Sequence, residues 1–423
     1  MEKAILVAVK IKGTATDLKY SLNELNNLAT GLSYQVVNVL TQALDKPTSN
    51  FYIGAGKVEE LKIMLNQTEA TTIIFDDELS PSQIRNLENA LNVTIMDRTF
   101  LILRIFEQRA STTEAKLEIK LAMNKYLLPR EISKWGEDSR EGGTSGSLSN
   151  RGSGETKREL NKRMLANEIV QIEKELAKIH QMKDRQIQKR KRNQVPIVAL
   201  VGYTNAGKST TMNTLINYLT NNNNNKEVYA ENKLFATLNT FNRRLTINNC
   251  EFVLVDTIGF VSKLPHDLIN SFKTTLKEIQ SADYILHIVD ISSRYFLEQI
   301  NITNKVLNDI GVKGIPMLYV LNKYDMYDDQ NTQIVGIDNL PFSNKSLLNI
   351  EVLVDKIYEH IKPNTKYIKL LIPYSEAKIL NYLIENTNIY KKEYSDNGTY
   401  LELEIAAKDY KLVEMYEIDN ITS

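Results

Sequence analysis

A single cysteine, Cys250, stands in 423 residues. It excludes an internal disulfide and predicts a reducing compartment, and its place in an apparent strand predicts core filling. An excess of one charge sign is missing too. Lys plus Arg total 52, as do Asp plus Glu, so the formal net charge is zero. Contact with nucleic acid must then come from local basic patches. No apolar run approaches the roughly 20 residues of a membrane helix. The opening MEKAILVAVKIKG is too short and too charged for a signal peptide. These absences predict a cytoplasmic protein without a membrane anchor. What is there is an ordinary globular composition, 42% apolar and 25% charged, on a chain long enough for about three domains.

Residues 4–11, 34–40, 71–77 and 93–97 read as strands. Residues 17–28 read as a helix, and Ser80-Pro81 opens another, with Ser at the N-cap and Pro in the first turn. The alternation predicts a small parallel α/β domain over residues 1–104. From Arg98 to about Tyr126 a helix is predicted, with Ala115, Ile119, Ala122 and Tyr126 on one face and Pro129 ending it. A Gly/Ser-rich loop, 136–156, follows. In the next helix Leu165, Ile169, Ile172, Leu176 and Ile179 form a heptad seam. Residues 105–194 thus predict a helical hairpin whose long tip is more than a connector. KDRQIQKRKR, 183–192, reads either as a solvated helix end or as a patch for RNA phosphates, and both readings stay open.

VPIVALV, CEFVLVD, YILHIVD and IPMLYVL predict a second, mostly parallel sheet in a domain over 195–365, with the asparagine run 221–225 as a surface loop. KYIKLLIPY, a helix, NIYKKEY, the turn Ser395-Asp396-Asn397-Gly398 and YLELEIAA predict a small α+β domain over 366–423.

Gly202-Tyr203-Thr204-Asn205-Ala206-Gly207-Lys208-Ser209 fits G-x-x-x-x-G-K-[ST], leaving a predicted strand and entering a predicted helix that continues with Thr210. Its glycines let backbone N–H groups close around phosphates. Lys208 reaches the β- and γ-phosphates, and the Ser209 hydroxyl binds Mg²⁺. Asp256 ends the CEFVLVD strand, where its carboxylate reaches the metal through water. Thr257, Ile258 and Gly259 complete D-x-x-G, and the Gly259 N–H faces the γ-phosphate. LFATLNTFNRR supplies Phe235, Ala236, Thr237, Leu238 and Asn239 beside the phosphates. Thr237 is the candidate switch threonine, completing the Mg²⁺ shell and the catalytic set with Lys208 and Gly259. Asn322, Lys323, Tyr324 and Asp325 form N-K-x-D. Asp325 selects guanine, because its carboxylate accepts from N1–H and the exocyclic amine, and adenine offers neither. Ser343, Asn344 and Lys345 follow as a second guanine loop, with Asn344 where alanine is usual. IGAGK, Ile53 to Lys57, looks like another phosphate turn, but lacks the spacing and the Ser or Thr after Lys. It reads as a structural turn.

These pieces resemble the HflX-type GTPases. IGAGKVEEL, DDELSPSQIRNLE, LNVTIMDRTFLILRIF and RGSGET are similar to that family's N-terminal and hairpin motifs, and GYTNAGKS, FATL and DTIGFVSKLPHDLINSFKTTLKE to its GTPase core. The resemblance runs over residues 50–350. It implies a P-loop GTPase domain with an N-terminal α/β domain, a long helical hairpin and a small C-terminal α+β domain. It further implies binding of the large ribosomal subunit and its RNA, and the free chain is expected to be a monomer. Arg140, Arg151, Gly152 and Gly154 would lie in the ribosome-contacting tip, and the activity would be splitting or rescue of stalled or idle ribosomes under stress. Two departures stand out. Asn239-Thr240 replaces Asp-Pro after FATL, and Ser153 replaces Pro in Arg-Gly-Pro-Gly-Glu.

The best-known signalling GTPases carry a water-orienting glutamine after the D-x-x-G glycine. Here that residue is Phe260. The family carries a hydrophobic residue there, which implies slow intrinsic turnover completed by a docked partner. In related GTPases an asparagine at the position of Asn205 helps hold K⁺, so a K⁺ route is a second expectation. Two other classes stay open: a GTP-dependent binding module with negligible turnover, and an RNA-remodelling ATPase using the IGAGK turn.

Overall fold

The computed structural model describes residues 1–13, 17–133, 151–192, 195–220, 241–248, 250–263, 278–327, 338–362 and 365–418. They form two compact units, one of residues 1–246 with 251–355, the other of 247–250 with 356–423.

The first unit opens with β1 (Glu2–Ile11), α1 (Leu18–Gly31), β2 (Tyr34–Leu44), α2 (Ala55–Thr68), β3 (Thr72–Phe75), α3 (Pro81–Leu91) and β4 (Thr94–Asp97). The strands pair in parallel in the order β2-β1-β3-β4. Ala4 to Val9 of β1 form an unbroken apolar run because helices cover both its faces. Ala4 and Leu6 enter one core cluster, and Ile5, Val7 and Val9 the other. α3 begins as read: the Ser80 Oγ accepts from the Gln83 N–H, and the Gln83 side chain accepts from the Ser80 N–H.

The single helix expected from Arg98 is two, α4 (Arg98–Arg109) and α5 (Thr113–Ser133). The break has a local cause. The Thr112 hydroxyl accepts from the Ala115 N–H and starts a new helix. Pro129 does not end α5, which runs four residues further. Arg130 holds that last turn, donating to the Tyr126 carbonyl at 2.6 Å, to the Leu79 carbonyl at 3.1 Å and to Asp97 at 3.2 Å. The antiparallel partner, α6, spans Arg151–Arg192. Residues 151–156, expected in the tip loop, are therefore helical. Propagation from a long helix outweighs the cost of Gly152 and Gly154, about 1 kcal/mol each. Arg140 and the rest of the expected tip, 136–150, lie outside the described residues. Of the expected seam, Ile169, Ile172 and Leu176 pack with Leu117 and Leu121 of α5.

Then come β5 (Ile197–Gly202), α7 (Lys208–Thr220), β6 (Phe241–Ile247), β7 (Cys250–Asp256), β8 (Tyr284–Asp290), α8 (Phe296–Asp309), β9 (Met317–Asn322), β10 (Asn339–Pro341) and α9 (Ile350–Ile361). Their sheet has the order β10-β9-β8-β5-β7-β6. The pairs from β10 to β7 are parallel. β6 and β10 were not anticipated, being short or poor in apolar residues. Cys250 is half-buried at the start of β7 rather than core filler.

The second unit holds β11 (Thr365–Ile372), α10 (Ala377–Asn386), β12 (Asn388–Ser395), β13 (Gly398–Ala406) and α11 (Ala407–Tyr410). It is an antiparallel sheet in the order β11-β13-β12. The turn read at 395–398 joins its hairpin. No helix among the described residues is long and apolar enough to cross a membrane.

Candidate nucleotide site

The site lies at the carboxyl ends of β5, β7, β8 and β9, where a parallel sheet leaves a crevice. β5 is fully buried up to Gly202, and the chain must then turn sharply. Gly202 has φ +146°, and a Cβ there would stand 2.2 Å from the Ile288 carbonyl oxygen. Gly207 has φ +99°, and a Cβ there would meet the Asn322 Nδ2 at 2.2 Å. The motif's two glycines are thus required by their neighbours.

Lys208 folds back over this loop, donating to the carbonyls of Gly202 at 3.0 Å and Tyr203 at 2.7 Å. Burial lowers its pKa to about 8, against the pull of the Asp256 carboxylate. Ser209 donates to Asp256 Oδ2 at 2.7 Å. The hydroxyl and the carboxylate expected to share a metal shell are therefore neighbours. The buried Thr204 Oγ1 has no hydrogen-bond partner. Thr257 faces away and donates to the Leu200 carbonyl at 2.7 Å. A Cβ on Gly259 would stand 3.0 Å from the Lys208 Nζ and 2.8 Å from the Thr204 Cγ2, so Gly259 lets its segment close over the phosphate loop.

The structure brings the N-K-x-D segment and the segment 343–345 together beside the phosphate loop. The Asn322 Nδ2 donates to the Ala206 carbonyl at 2.7 Å, locking N-K-x-D to the phosphate loop. The Lys323 ammonium donates to the Asn205 carbonyl at 3.1 Å and Asp290 at 2.6 Å. Ser343 donates to Asp325 Oδ1 at 2.6 Å, and its Oγ accepts from the N–H groups of Lys345 and Ser346. The Tyr324 N–H donates to the Phe342 carbonyl. Asn344, the departure from alanine, bridges Asn322 Oδ1 at 3.1 Å and Thr211 Oγ1 at 3.0 Å, so it braces the two loops. Asn205 sits at φ +61° with its side chain exposed. Phe235, Ala236, Thr237, Leu238 and Asn239 lie outside the described residues.

Phe260 does not face the crevice. It is 2% exposed, packed in the same core cluster as Val255 and Ile285. Its main chain is tied twice, the N–H to the Gly202 carbonyl at 3.2 Å and the carbonyl from the Thr204 N–H at 2.8 Å.

One constellation was missed. Ser262 and Lys263, directly after Phe260 and Val261, are held by Glu24 of α1, by Asp76 and Asp77 just after β3 and by Arg98 at the start of α4. Arg98, 1% exposed, donates to Glu24 Oε2 at 2.6 Å, to Asp76 Oδ1 at 2.7 Å and to Ser262 Oγ at 3.0 Å. Ser262 Oγ donates to Glu24, and the Ser262 N–H donates to the Tyr203 hydroxyl at 2.7 Å. Tyr203 itself donates to Glu24, and Lys263 pairs with Asp77 at 2.6 Å and with Asp76. Burial opposes the Arg98 charge, but Glu24 and Asp76 hold its pKa above the usual value. No local pattern announces this cluster. The one available signal was the motif LNVTIMDRTFLILRIF, which contains Arg98. IGAGK shows the opposite. The Gly54 N–H is taken by the Gln42 side chain at 2.9 Å, so this turn serves as the N-cap of α2.

Comparison with known proteins agrees along the chain. Residues 19–107 match the model described as GTP-binding GTPase N-terminal, and 109–190 that described as GTP-binding GTPase Middle Region. Residues 197–323 match the model described as 50S ribosome-binding GTPase. GTPase HflX of Caldanaerobacter subterraneus subsp. tengcongensis is 39% identical over 411 residues, 96% of this chain and 92% of that one. GTPase HflX of Escherichia coli (strain K12) is 35% identical over 404 residues, 94% and 92% of the two chains. Among solved structures, a GTP-binding protein from Sulfolobus solfataricus in complex with GDP is 25% identical, with 85% of this chain and 99% of that one covered at a TM-score of 0.45. Over nearly its whole length, this chain belongs to the HflX family of GTPases.

Proposed function

We propose that this GTPase works on the large ribosomal subunit in the cytoplasm, binding its RNA through the α5–α6 hairpin and splitting or rescuing stalled or idle ribosomes. GTP lies with its phosphates on Gly202–Thr210 and its base against Asp325, with Asn322, Lys323, Tyr324, Ser343, Asn344 and Lys345 around it. Ser209 and Asp256 are the groups that would hold Mg²⁺, Asp256 through water, with Thr237 joining them. Mg²⁺ there would neutralise phosphate charge. The fit rests on the Ser209–Asp256 pair, 2.7 Å apart at the mouth of the phosphate loop. Lys208 stabilises charge developing on the phosphoryl oxygens, and the Gly259 N–H donates to the γ-phosphate.

One observation carries the reading of how turnover is controlled. The Phe260 side chain is core and its backbone is pinned, so the residue where other GTPases orient water contributes no polar atom. Positioning of the water then comes from a docked partner, from K⁺ near Asn205 or from another switch residue. Single-turnover GTP hydrolysis with and without large subunits, in KCl and in NaCl, tests this. The expected result is slow turnover alone, well below the roughly 10 per second of a median enzyme, and at least about tenfold stimulation by subunits, a modest share of what a docked GTPase partner can supply. Equal rates in every condition would overturn it in favour of a binding module.

A further inference from the structure

Glu114 and Glu118 lie one turn apart on α5, and His180 lies on the antiparallel α6. Their position follows from the seam. Leu117 and Leu121 meet Ile172 and Leu176 across the hairpin. Glu114 and Glu118 each precede one of those leucines by three residues, and His180 follows Leu176 by four. The same helix faces that pack the apolar seam thus bring two carboxylates and an imidazole together at the base of the hairpin.

One ligand atom from each of the three residues lies within 4.8 Å of the others, the one such group among the described residues. Glu118 is 0% exposed. The Glu114 carboxylate, 14% exposed, takes the Lys183 ammonium on Oε2 at 2.6 Å. Its Oε1 is buried and accepts no hydrogen bond. Two carboxylates brought together repel each other, and a cation shared between them offsets that repulsion. We propose that Glu114, Glu118 and His180 form a site for a divalent ion of the zinc class.

The donor set supports that ion class. Imidazole selects against Mg²⁺ and Ca²⁺, which prefer oxygen throughout, and two carboxylates with one imidazole suit Zn²⁺ with water as fourth ligand. Around a tetrahedral zinc the ligand atoms stand about 3.4 Å apart, given bonds of about 2.1 Å. The triad needs to contract by little more than 1 Å, within reach of a rotamer change at the half-buried Glu114 and His180. The ion would join α5 to α6 one turn beyond the last hydrophobic pair. It would fix the hairpin at its base, far along both helices from the tip. Binding would then appear as stability of the hairpin.

The test uses the full chain loaded with GDP and Mg²⁺, so that the nucleotide site is filled. Zn²⁺ is titrated in competition with a chromogenic chelator, Co²⁺ serves as the spectroscopic probe, and the melting temperature is read with and without Zn²⁺. The expected result is one Zn²⁺ per chain and a raised melting temperature. A low-symmetry visible Co²⁺ band should appear that Glu118→Gln and His180→Ala both remove. Each variant should weaken Zn²⁺ by at least about tenfold, since losing even an outer-shell partner costs that much. His180 is half-buried on one helix face, so His180→Ala should bind GDP as the wild type does, which separates loss of the ion from loss of the fold. Zn²⁺ binding unchanged in His180→Ala would overturn the proposal. So would a melting temperature that follows pH through the histidine range and ignores Zn²⁺, because the triad would then be a protonated histidine held between two glutamates.

Discussion

At the scale of single residues, Asp325 and Lys208 carry predictions with clear signs. Asp325 takes one donor from Ser343, and its carboxylate has capacity for the two donors of guanine besides. Asp325→Asn should weaken GTP by more than about tenfold and favour xanthosine triphosphate, whose extra carbonyl can accept from the amide. Competition binding of the two nucleotides checks it, and unchanged GTP affinity would remove Asp325 from base recognition. Lys208, with a pKa lowered to about 8 by burial, is largely protonated at neutral pH and loses its proton above that value. A bound phosphate favours the charged form and raises the pKa again. Affinity for GDP should therefore be flat below pH 8 and fall above it, by at most about tenfold per pH unit. Proton uptake on binding should appear over the same range. Calorimetry in buffers of different ionisation heat reads that uptake directly. Affinity flat to pH 9.5 would mean that the lysine stays charged in the empty site.

At the scale of elements, the segment Phe260–Lys263 joins the phosphate loop to α1 and α4 of the N-terminal layer, and Arg98 is its anchor. Arg98→Ala leaves Glu24 and Asp76 buried without their main cation and should cost about 3–5 kcal/mol. Ser262→Ala removes hydrogen bonds but strands no charge, so about 1 kcal/mol is expected. Because the two touch, the double mutant should deviate from additivity by at least about 0.5 kcal/mol. Denaturant melts of the four proteins measure the cycle, and strict additivity would dissolve the link between Arg98 and Ser262. The same segment marks the limit of what could be read beforehand. Ser80-Pro81 announced α3 because its cap is made by residues three apart. The phosphate loop and N-K-x-D were legible because each is a local pattern at the end of an apolar strand. The Thr112 cap that splits α4 from α5 was in plain view, but the apolar face runs on through it and hid the break. Arg98 and Ser262 are 164 positions apart, and Tyr203 and Glu24 are 179 apart. Nothing in a periodicity or a propensity connects residues at that distance.

At the scale of the whole molecule, the hairpin and the nucleotide site are separate parts of one chain. Deleting Glu141 to Ser153 should leave nucleotide affinity unchanged and abolish stimulation by large subunits. Parallel measurements of GDP binding and subunit-stimulated hydrolysis decide it, and lost nucleotide affinity in a folded variant would instead place the hairpin in the GTP site. Arg98 has a further consequence, for the order in which the molecule is made. Glu24, Asp76 and Arg98 all leave the ribosome before Ser262 is polymerised. At about 5–20 residues per second, the delay is on the order of 10–30 s. Through that interval both acids already have their guanidinium, so the newborn N-terminal sheet need not wait with buried charges unmatched. Lys263 and the Tyr203 hydroxyl arrive at a partner that is already built. Folding can therefore proceed in the direction of synthesis, with the catalytic half templated on the half that precedes it.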